Sequence, residues 1–194
     1  MELKDKIIHE SLKLFSLKGY LNTSIEDILE RSNSSKGGLY NHFRSKDELF
    51  LSVLSEARKI WRSKVLQGLN ETKDPIMKIK KLLQQYADEY LKDVADIPGG
   101  CVFVTLSVEL DDQRPDFSAK IADGFDRFLA MIKRFLDEAK ATGRLRRDAD
   151  TDMVSRVLFA GMLGASVLYG IDKSSETLDK CIAALIGYLD SLTM

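Results

Sequence analysis

Apolar residues recur at intervals of three and four along almost the whole of this 194-residue chain, and this spacing limits its fold more than any other feature. The clearest run contains Phe117, Ile121, Phe125, Phe128, Ile132, Phe135 and Leu136. Such spacing places apolar side chains on one face of an α-helix, whereas a half-buried β-strand alternates apolar and polar residues. No segment shows credible strand alternation. The sequence therefore predicts an all-α fold.

Residues that commonly start or stop helices divide this pattern into about nine helices. The predicted starts are Asp74-Pro75, Pro115, Asp150 and Ser175, and the predicted ends include Gly19 and Gly143. Two further starts have the spacing of a capping box, Thr23 with Glu26 and Ser45 with Glu48. The helix that begins near Lys46 is long, because its apolar stripe continues to about Leu69.

The composition excludes several classes of protein. With 29 basic and 30 acidic residues the net charge is −1, so any binding to DNA must depend on a local patch of positive charge. Cys101 and Cys181 lie far apart and suggest no disulfide framework or zinc finger, and we expect neither metal nor cofactor. We find no apolar leader and no run of membrane-spanning length, which predicts a cytoplasmic protein without a membrane partner.

The segment from Ser32 to Lys46 has the layout of a helix-turn-helix. It follows a short amphipathic helix across a polar turn, and its apolar residues Leu39 and Phe43 are four apart. Lys36, Tyr40, His42 and Arg44 are all able to donate to phosphate, and no acidic residue lies between Arg31 and Lys46. One face of this short helix is therefore predicted to dock on a core and the other to face DNA.

Residues 3–50 resemble the N-terminal domain of the TetR-type transcriptional regulators. The motifs that carry the resemblance are Leu14-Phe15, Gly19-Tyr20, Thr23-Ser24-Ile25, Asp27-Ile28, the run from Ser35 to Phe43, and Ser45-Lys46-Asp47-Glu48-Leu49. The chain departs from the family at the turn, where Asn33 replaces a glycine and Ser34 an apolar residue. Asn33 tolerates the left-handed conformation that the turn requires, whereas Gly38 beside Gly37 weakens the short helix.

The resemblance implies a domain division and a DNA-binding surface. It implies a three-helix helix-turn-helix domain, residues 1–48, and a helical ligand-binding and dimerisation domain, residues 49–194. The implied DNA-binding residues are Thr23, Ser35, Lys36, Gly37, Gly38, Tyr40, Asn41, His42 and Lys46. Lys36 and Gly37 would approach the major groove, Tyr40 and His42 would donate to phosphates, and double-stranded palindromic DNA would be the partner.

The resemblance also implies a cavity for a small-molecule effector in the second domain. Large residues on different helices are its candidate lining, together with one cysteine: Trp61, Tyr86, Tyr90, Cys101, Phe125 and Phe128. Each has an alternative interpretation as ordinary core. Cys101 follows two glycines at a helix start, where free amides favour a reactive thiolate, although a buried, inert cysteine is the alternative interpretation.

The last two helices are unusually apolar and contain a cluster of small residues. In the family such helices usually form a four-helix bundle in a homodimer. The candidate interface residues are Gly161, Gly164, Leu168, Leu178, Ile182, Leu185 and Leu189, and their alternative interpretation is the core of a single chain.

No group of residues resembles a catalytic site. Glu109, Asp111 and Asp112 are interpreted as a solvated helix end, and no serine has a plausible histidine partner. The sequence therefore predicts a ligand-responsive transcriptional repressor that is not an enzyme. The alternatives are a ligand-independent regulator or activator of the same fold, and a helical enzyme whose first helices only look like a DNA-binding domain.

Overall fold

The computed structural model describes residues 2–194 and folds them into nine α-helices, with no β-strand in that range. The helices are α1 (Leu3–Lys18), α2 (Ile25–Ser32), α3 (Lys36–Tyr40), α4 (Lys46–Val65), α5 (Pro75–Gln85), α6 (Val102–Leu110), α7 (Pro115–Ala141), α8 (Thr151–Asp172) and α9 (Ser175–Ser191). A π-helical turn, Tyr86–Leu91, continues α5. The predicted all-α fold is confirmed.

Most of the predicted helix starts are observed as hydrogen-bonded caps. Asp74 and Asp150 each accept bonds from the two backbone amides that begin α5 and α8, and Ser45 accepts from the Glu48 amide at α4. The capping box of α2 was predicted one residue too early. It consists of Ser24 and Asp27, because the Thr23 hydroxyl donates instead to the Gly19 carbonyl at 2.6 Å.

The first hydrophobic core does not end where the first domain was predicted to end. Leu49, Phe50 and Val53 of α4 pack with α1, α2 and α3, and so do residues of α6 and the start of α7. Apolar burial, which is the main force that holds helices together, therefore continues from the predicted DNA-binding unit, formed by α1, α2, α3 and the start of α4, into α6. The boundary at residue 48 stays a prediction, since α4 belongs to both halves.

The second core corrects the predicted dimer interface. It is built from α5, the π-helical turn, α7, α8 and α9, and it contains Leu178, Ile182 and Leu189. These three side chains are buried within their own chain, where a second copy cannot reach them. The space beside Gly161 is also filled by the same chain, because a Cβ placed on Gly161 would lie 2.4 Å from a methyl carbon of Leu185. The small residue lets α8 approach α9.

The opposite face of α8 is apolar and uncovered. Its exposed large residues are Met153, Val157, Val167, Leu168 and Ile171. Gly164 lies on the same exposed side, and a Cβ placed on it would meet no atom within 4 Å. With 22 residues, α8 is long and apolar enough to cross a membrane by length and composition, contrary to the prediction that no run is. Core helices pass the same test, and α8 packs against both α7 and α9.

The two cores are also joined by a close backbone contact between the segment before α6 and the end of α1. A Cβ on Gly99 would lie 1.8 Å from the Ser16 carbonyl oxygen, and the Gly99 amide donates to the Ser16 hydroxyl at 3.2 Å. Only glycine fits at this distance, so α1 is held directly against the start of the second domain.

We expect Gly99→Ala to destabilise the protein by about 1–3 kcal/mol, because the new methyl group collides with backbone that cannot move independently. Gly187→Ala is the matched control, since its Cβ would meet no atom within 4 Å and α9 gains helix propensity. Urea unfolding of both variants measures the difference. Equal stability of Gly99→Ala and the wild type would contradict the contact.

Candidate nucleic-acid interface and effector cavity

The short helix α3 has one buried and one exposed face, as predicted. Leu39 and Phe43 are buried in the first core, whereas Lys36 and Tyr40 are exposed, with 43% of Tyr40 accessible. The other exposed residues of this surface are Ser35, Gly37, Asn41, His42 and Arg44. A Cβ on Gly37 would meet no atom within 4 Å, so the backbone at the start of α3 is open to close approach by DNA.

The turn that leads into α3 has the conformation expected from its sequence. Asn33 has φ 49° and ψ 50°, which is the left-handed region predicted for it. Ser34 lies where the family has an apolar residue, and its hydroxyl lies 2.7 Å from that of Ser32, which also bonds to the Ile28 carbonyl. A hydrogen-bonded serine pair therefore replaces an apolar contact between the two helices.

Two of the predicted phosphate contacts are directed elsewhere in this structure. The Thr23 side chain is buried and its hydroxyl donates to the Gly19 carbonyl, so the phosphate contact expected where α2 begins would have to come from backbone amides, and it stays a prediction. Lys46 is half-buried, its Nζ donates to the Tyr20 carbonyl at 2.6 Å, and it lies 4.2 Å from the centre of the Tyr20 ring. Burial lowers the pKa of Lys46. This lysine secures the start of α4, and reaching phosphate would require it to release Tyr20.

A carboxylate of the second domain clamps the DNA-binding unit. The Glu109 side chain on α6 accepts hydrogen bonds from the backbone amides of Tyr20, at 2.6 Å, and Leu21, at 2.9 Å. A Cβ on Gly19 would lie 2.3 Å from the same carboxylate. Glu109 was interpreted as part of a solvated helix end, and that interpretation is wrong, because its charge satisfies amides at the end of α1.

Arg114 forms a second link between the domains. Its guanidinium donates to Asp47 at the start of α4, with Nη2 2.9 Å from Oδ2, and lies 3.8 Å from the centre of the Phe117 ring. The arginine bonds lower the pKa of Asp47. The Tyr20 hydroxyl also donates to Asp47, and burial, followed by that bond, raises the pKa of Tyr20 to about 12. These groups connect α1, α4 and the start of α7.

A cavity of about 260 Å³ lies between α4, α6, α7 and α8. Five of the six predicted lining residues border it, namely Trp61, Tyr86, Cys101, Phe125 and Phe128. Tyr90 does not, because it is fully buried behind Tyr86, with ring centres 5.7 Å apart. The sequence interpretation missed Phe103, Met131, Phe159, Met162 and Leu163, whose helical spacing alone did not distinguish a cavity wall from core.

The cavity also has a charged side that was not predicted. Arg58, Arg62 and Arg127 line it together with a single acidic residue, Asp123. The Arg58 guanidinium donates to the Lys120 carbonyl at 2.6 Å and so bridges α4 to α7. Burial lowers the pKa of Arg58, although the group stays charged at neutral pH.

Burial decides the state of the thiol in the cavity wall. Cys101 had two interpretations, a reactive thiolate at the start of α6 and a buried, inert cysteine, and the burial observed here supports the second. Burial raises the pKa of its thiol, and it outweighs the lowering by the Val104 and Phe103 amides. The Tyr90 hydroxyl lies 3.9 Å from the Cys101 sulfur. The thiol is therefore a protonated, apolar part of the wall.

Both halves of the chain match models of known families. The model described as "Bacterial regulatory proteins, tetR family" matches residues 7–53. The model described as "Tetracyclin repressor-like, C-terminal domain" matches residues 75–185, which is more than half of the chain. The two matches cover the DNA-binding surface and most of the elements that form the cavity.

Similar proteins extend over nearly the whole length. The HTH-type transcriptional repressor DhaR of Mycobacterium sp. (strain GP1) is 24% identical over 184 residues, which are 94% of this chain and 90% of that protein. The biofilm operon icaADBC negative transcriptional regulator IcaR of Staphylococcus aureus (strain Newman) is 28% identical over 71% of this chain and 72% of its own. A TetR transcriptional regulator from Chloroflexus aurantiacus J-10-FL has a crystal structure that superposes with a TM-score of 0.89, at 26% identity, over 98% of this chain and 96% of that one.

Glu109→Gln should speed amide hydrogen exchange at Tyr20 and Leu21 by about tenfold, because bonds to a charged acceptor stabilise more than bonds to a neutral one. Asp111→Asn is the control, since this nearby carboxylate is exposed and makes no side-chain hydrogen bond or ion pair within residues 2–194. Exchange measured by NMR or mass spectrometry tests the clamp. Unchanged exchange at both amides in Glu109→Gln would show that the carboxylate does not protect them.

Proposed function

Because the chain belongs to the TetR family of transcriptional regulators, we propose that it is a repressor whose homodimer binds a palindromic operator and releases it when a small molecule occupies the cavity. The observation that carries this proposal is the position of α4. Its first residues belong to the DNA-binding unit, and its later residues, Arg58, Trp61 and Arg62, line the cavity. A ligand in the cavity therefore contacts the helix that leads to the DNA surface.

The exposed face of α3 supports sequence-specific binding to DNA. Lys36, Tyr40, His42 and Arg44 supply donors for phosphates and base edges, and the anchoring by Leu39 and Phe43 fixes their direction. A helix of five residues reads few base pairs. Affinity and specificity then require two copies of α3 on successive half-sites.

The uncovered face of α8 supports the homodimer. Val157, Gly164, Leu168 and Ile171 follow one another at intervals of seven, four and three residues on this face, and 77% of Ile171 is exposed in the single chain. A continuous apolar face of this kind is costly in water and is typical of a partner interface. Of the interface residues predicted from the sequence, the proposed interface therefore includes Gly164 and Leu168. It excludes Leu178, Ile182 and Leu189, which lie in the core.

The links between the domains support the release mechanism. An effector shifts the equilibrium only if it binds the state that does not bind DNA more tightly. Glu109 and Arg114 attach the DNA-binding unit to α6 and to the start of α7, and both helices border the cavity through Phe103 and Phe125. A small displacement of these helices would move α3 relative to its dimer mate and change the half-site spacing.

Lys36→Ala should weaken binding to an operator selected from random duplexes, and the slope of log affinity against log salt should become shallower by about one, because the positive charge that displaces a counterion from the DNA is lost. Lys59→Ala is the control, since Lys59 pairs with Glu56 at 2.9 Å on α4, away from α3. Fluorescence anisotropy across a salt series measures both quantities. Equal wild-type affinity for the selected operator and for random duplex at physiological salt would rule out the proposed repressor.

Leu168→Glu should convert the dimer into a folded monomer, because burying an unpaired carboxylate at an apolar interface costs several kcal/mol whereas the exposed site tolerates it in the single chain. Val94→Glu introduces the same charge at an exposed apolar residue in the segment before α6 and should leave the dimer intact. Sedimentation equilibrium distinguishes the two. A dimer of unchanged affinity in Leu168→Glu would exclude this face.

A further inference from the structure

The walls of the cavity are formed mainly by aromatic rings that meet edge to face. Trp61 and Phe128 have ring centres 5.0 Å apart at 85°, Phe128 and Phe159 lie 5.5 Å apart at 66°, and Phe125 and Phe159 lie 5.3 Å apart at 69°. The rest of the apolar surface includes Met131, Met162 and the aliphatic side chains of Leu66, Ile121 and Leu163. Rings arranged in this way present both faces and edges, so they suit a flat aromatic ligand better than a flexible polar one.

The charge of the lining selects among aromatic ligands. Aromatic walls alone also suit an organic cation, but the cavity has three arginines against one aspartate. That aspartate, Asp123, is already paired with Arg127, whose Nε donates to Oδ1 at 3.1 Å. A cation would therefore be repelled by guanidinium groups that outnumber the acidic one.

Two of these arginines have no anionic partner of their own. Arg58 and Arg62 lie one turn apart on α4, where like charges repel each other. Neither forms an ion pair with a carboxylate in the part of the chain that the structure describes, and Arg58 donates only to a neutral carbonyl. Two adjacent guanidiniums at the edge of an apolar cavity form a natural site for a carboxylate, which arginine binds through paired hydrogen bonds.

A buried hydroxyl marks a second polar position in the wall. The Tyr86 residue lines the cavity, and its hydroxyl is buried beside the Ser166 hydroxyl and the Cys101 thiol. Tyr86 also begins the π-helical turn, an irregularity that is frequent at functional sites.

We propose that the effector is an aromatic carboxylic acid, with its carboxylate on Arg58 and Arg62 and its ring among Trp61, Phe128 and Phe159. This inference rests on the proposed function only where it treats the cavity as the effector site. Occupancy of the cavity is itself measurable without DNA.

The same carboxylate explains how the ligand acts on α4. In this structure one N–H group of Arg58 donates to the Lys120 carbonyl of α7. A bound carboxylate competes for that guanidinium, because a charged acceptor forms the stronger bond. The ligand therefore weakens a link between α4 and α7 as it binds, and α4 carries the change towards the DNA-binding unit.

The chain contains its own reporter for this site, since Trp61 is its single tryptophan and lines the cavity. The probes are 4-biphenylacetate, its neutral primary amide and the cationic 4-phenylbenzylamine, each titrated into the DNA-free protein while Trp61 emission is recorded. We expect saturable quenching by the carboxylate and at least about tenfold weaker binding of the amide and the amine, because the charged contact is lost or reversed. Equal binding of carboxylate and amide would overturn the proposal.

Substitutions on α4 test where the carboxylate of the probe binds. Arg58→Gln and Arg62→Gln should each weaken 4-biphenylacetate by about tenfold and leave the amide unchanged, whereas Lys59→Gln, the cation between them that does not line the cavity, should change neither. Carboxylate binding that is unaffected in both arginine variants would overturn the assignment.

A parallel measurement of operator release separates this inference from the proposed function. If 4-biphenylacetate binds in an arginine-dependent manner but leaves operator affinity unchanged, the ligand assignment stands and effector-controlled release is wrong. If the amide or the amine releases the operator whereas the carboxylate neither binds nor releases it, the proposed function stands and the ligand assignment is overturned.

Discussion

The hydrogen bonds from the Tyr20 and Leu21 amides to the Glu109 carboxylate are the contact on which this structure most depends. Without them, the end of α1 would face a gap, since Gly19 has no side chain and the carboxylate occupies that space. The bond from Arg114 to Asp47 fixes the start of α4 against α7. A few charged groups thus add a fixed direction to the shared apolar core and the Gly99 contact, because such bonds are directional whereas apolar packing is not.

The helices and the DNA surface could be predicted because their signals are local. The residues that cap helices do so through groups only a few positions away in the chain, as at Asn33, Ser45, Asp74 and Asp150. The apolar spacing of α7 is likewise visible in any short stretch of its sequence. The clamp could not be predicted, since Glu109 meets residues 88 and 89 positions earlier in the chain. Among three neighbouring acidic residues, nothing local distinguishes the one that is bonded.

Errors elsewhere arose because burial is not visible in a sequence. Leu178, Ile182 and Leu189 have the composition of an interface but lie in the chain's own core. Cys101 has the helix position of a reactive thiol, yet its burial raises the pKa of that thiol. Nothing in the sequence around Arg58 and Arg62 indicates that they border an aromatic cavity. In each case the residue type indicated the chemistry, and packing decided whether it applied.

The central claim is that the cavity and the DNA surface are coupled through α4 and the Glu109 clamp. Coupling is reciprocal, so operator DNA must change the cavity as an effector changes the affinity for DNA. The direct test is Trp61 emission and its quenching by acrylamide, with and without saturating operator, in wild type and in Glu109→Gln. The account predicts that operator binding changes Trp61 emission and quenching in the wild type, and that the change is smaller in Glu109→Gln. Identical wild-type emission and quenching in the free and operator-bound states would contradict it.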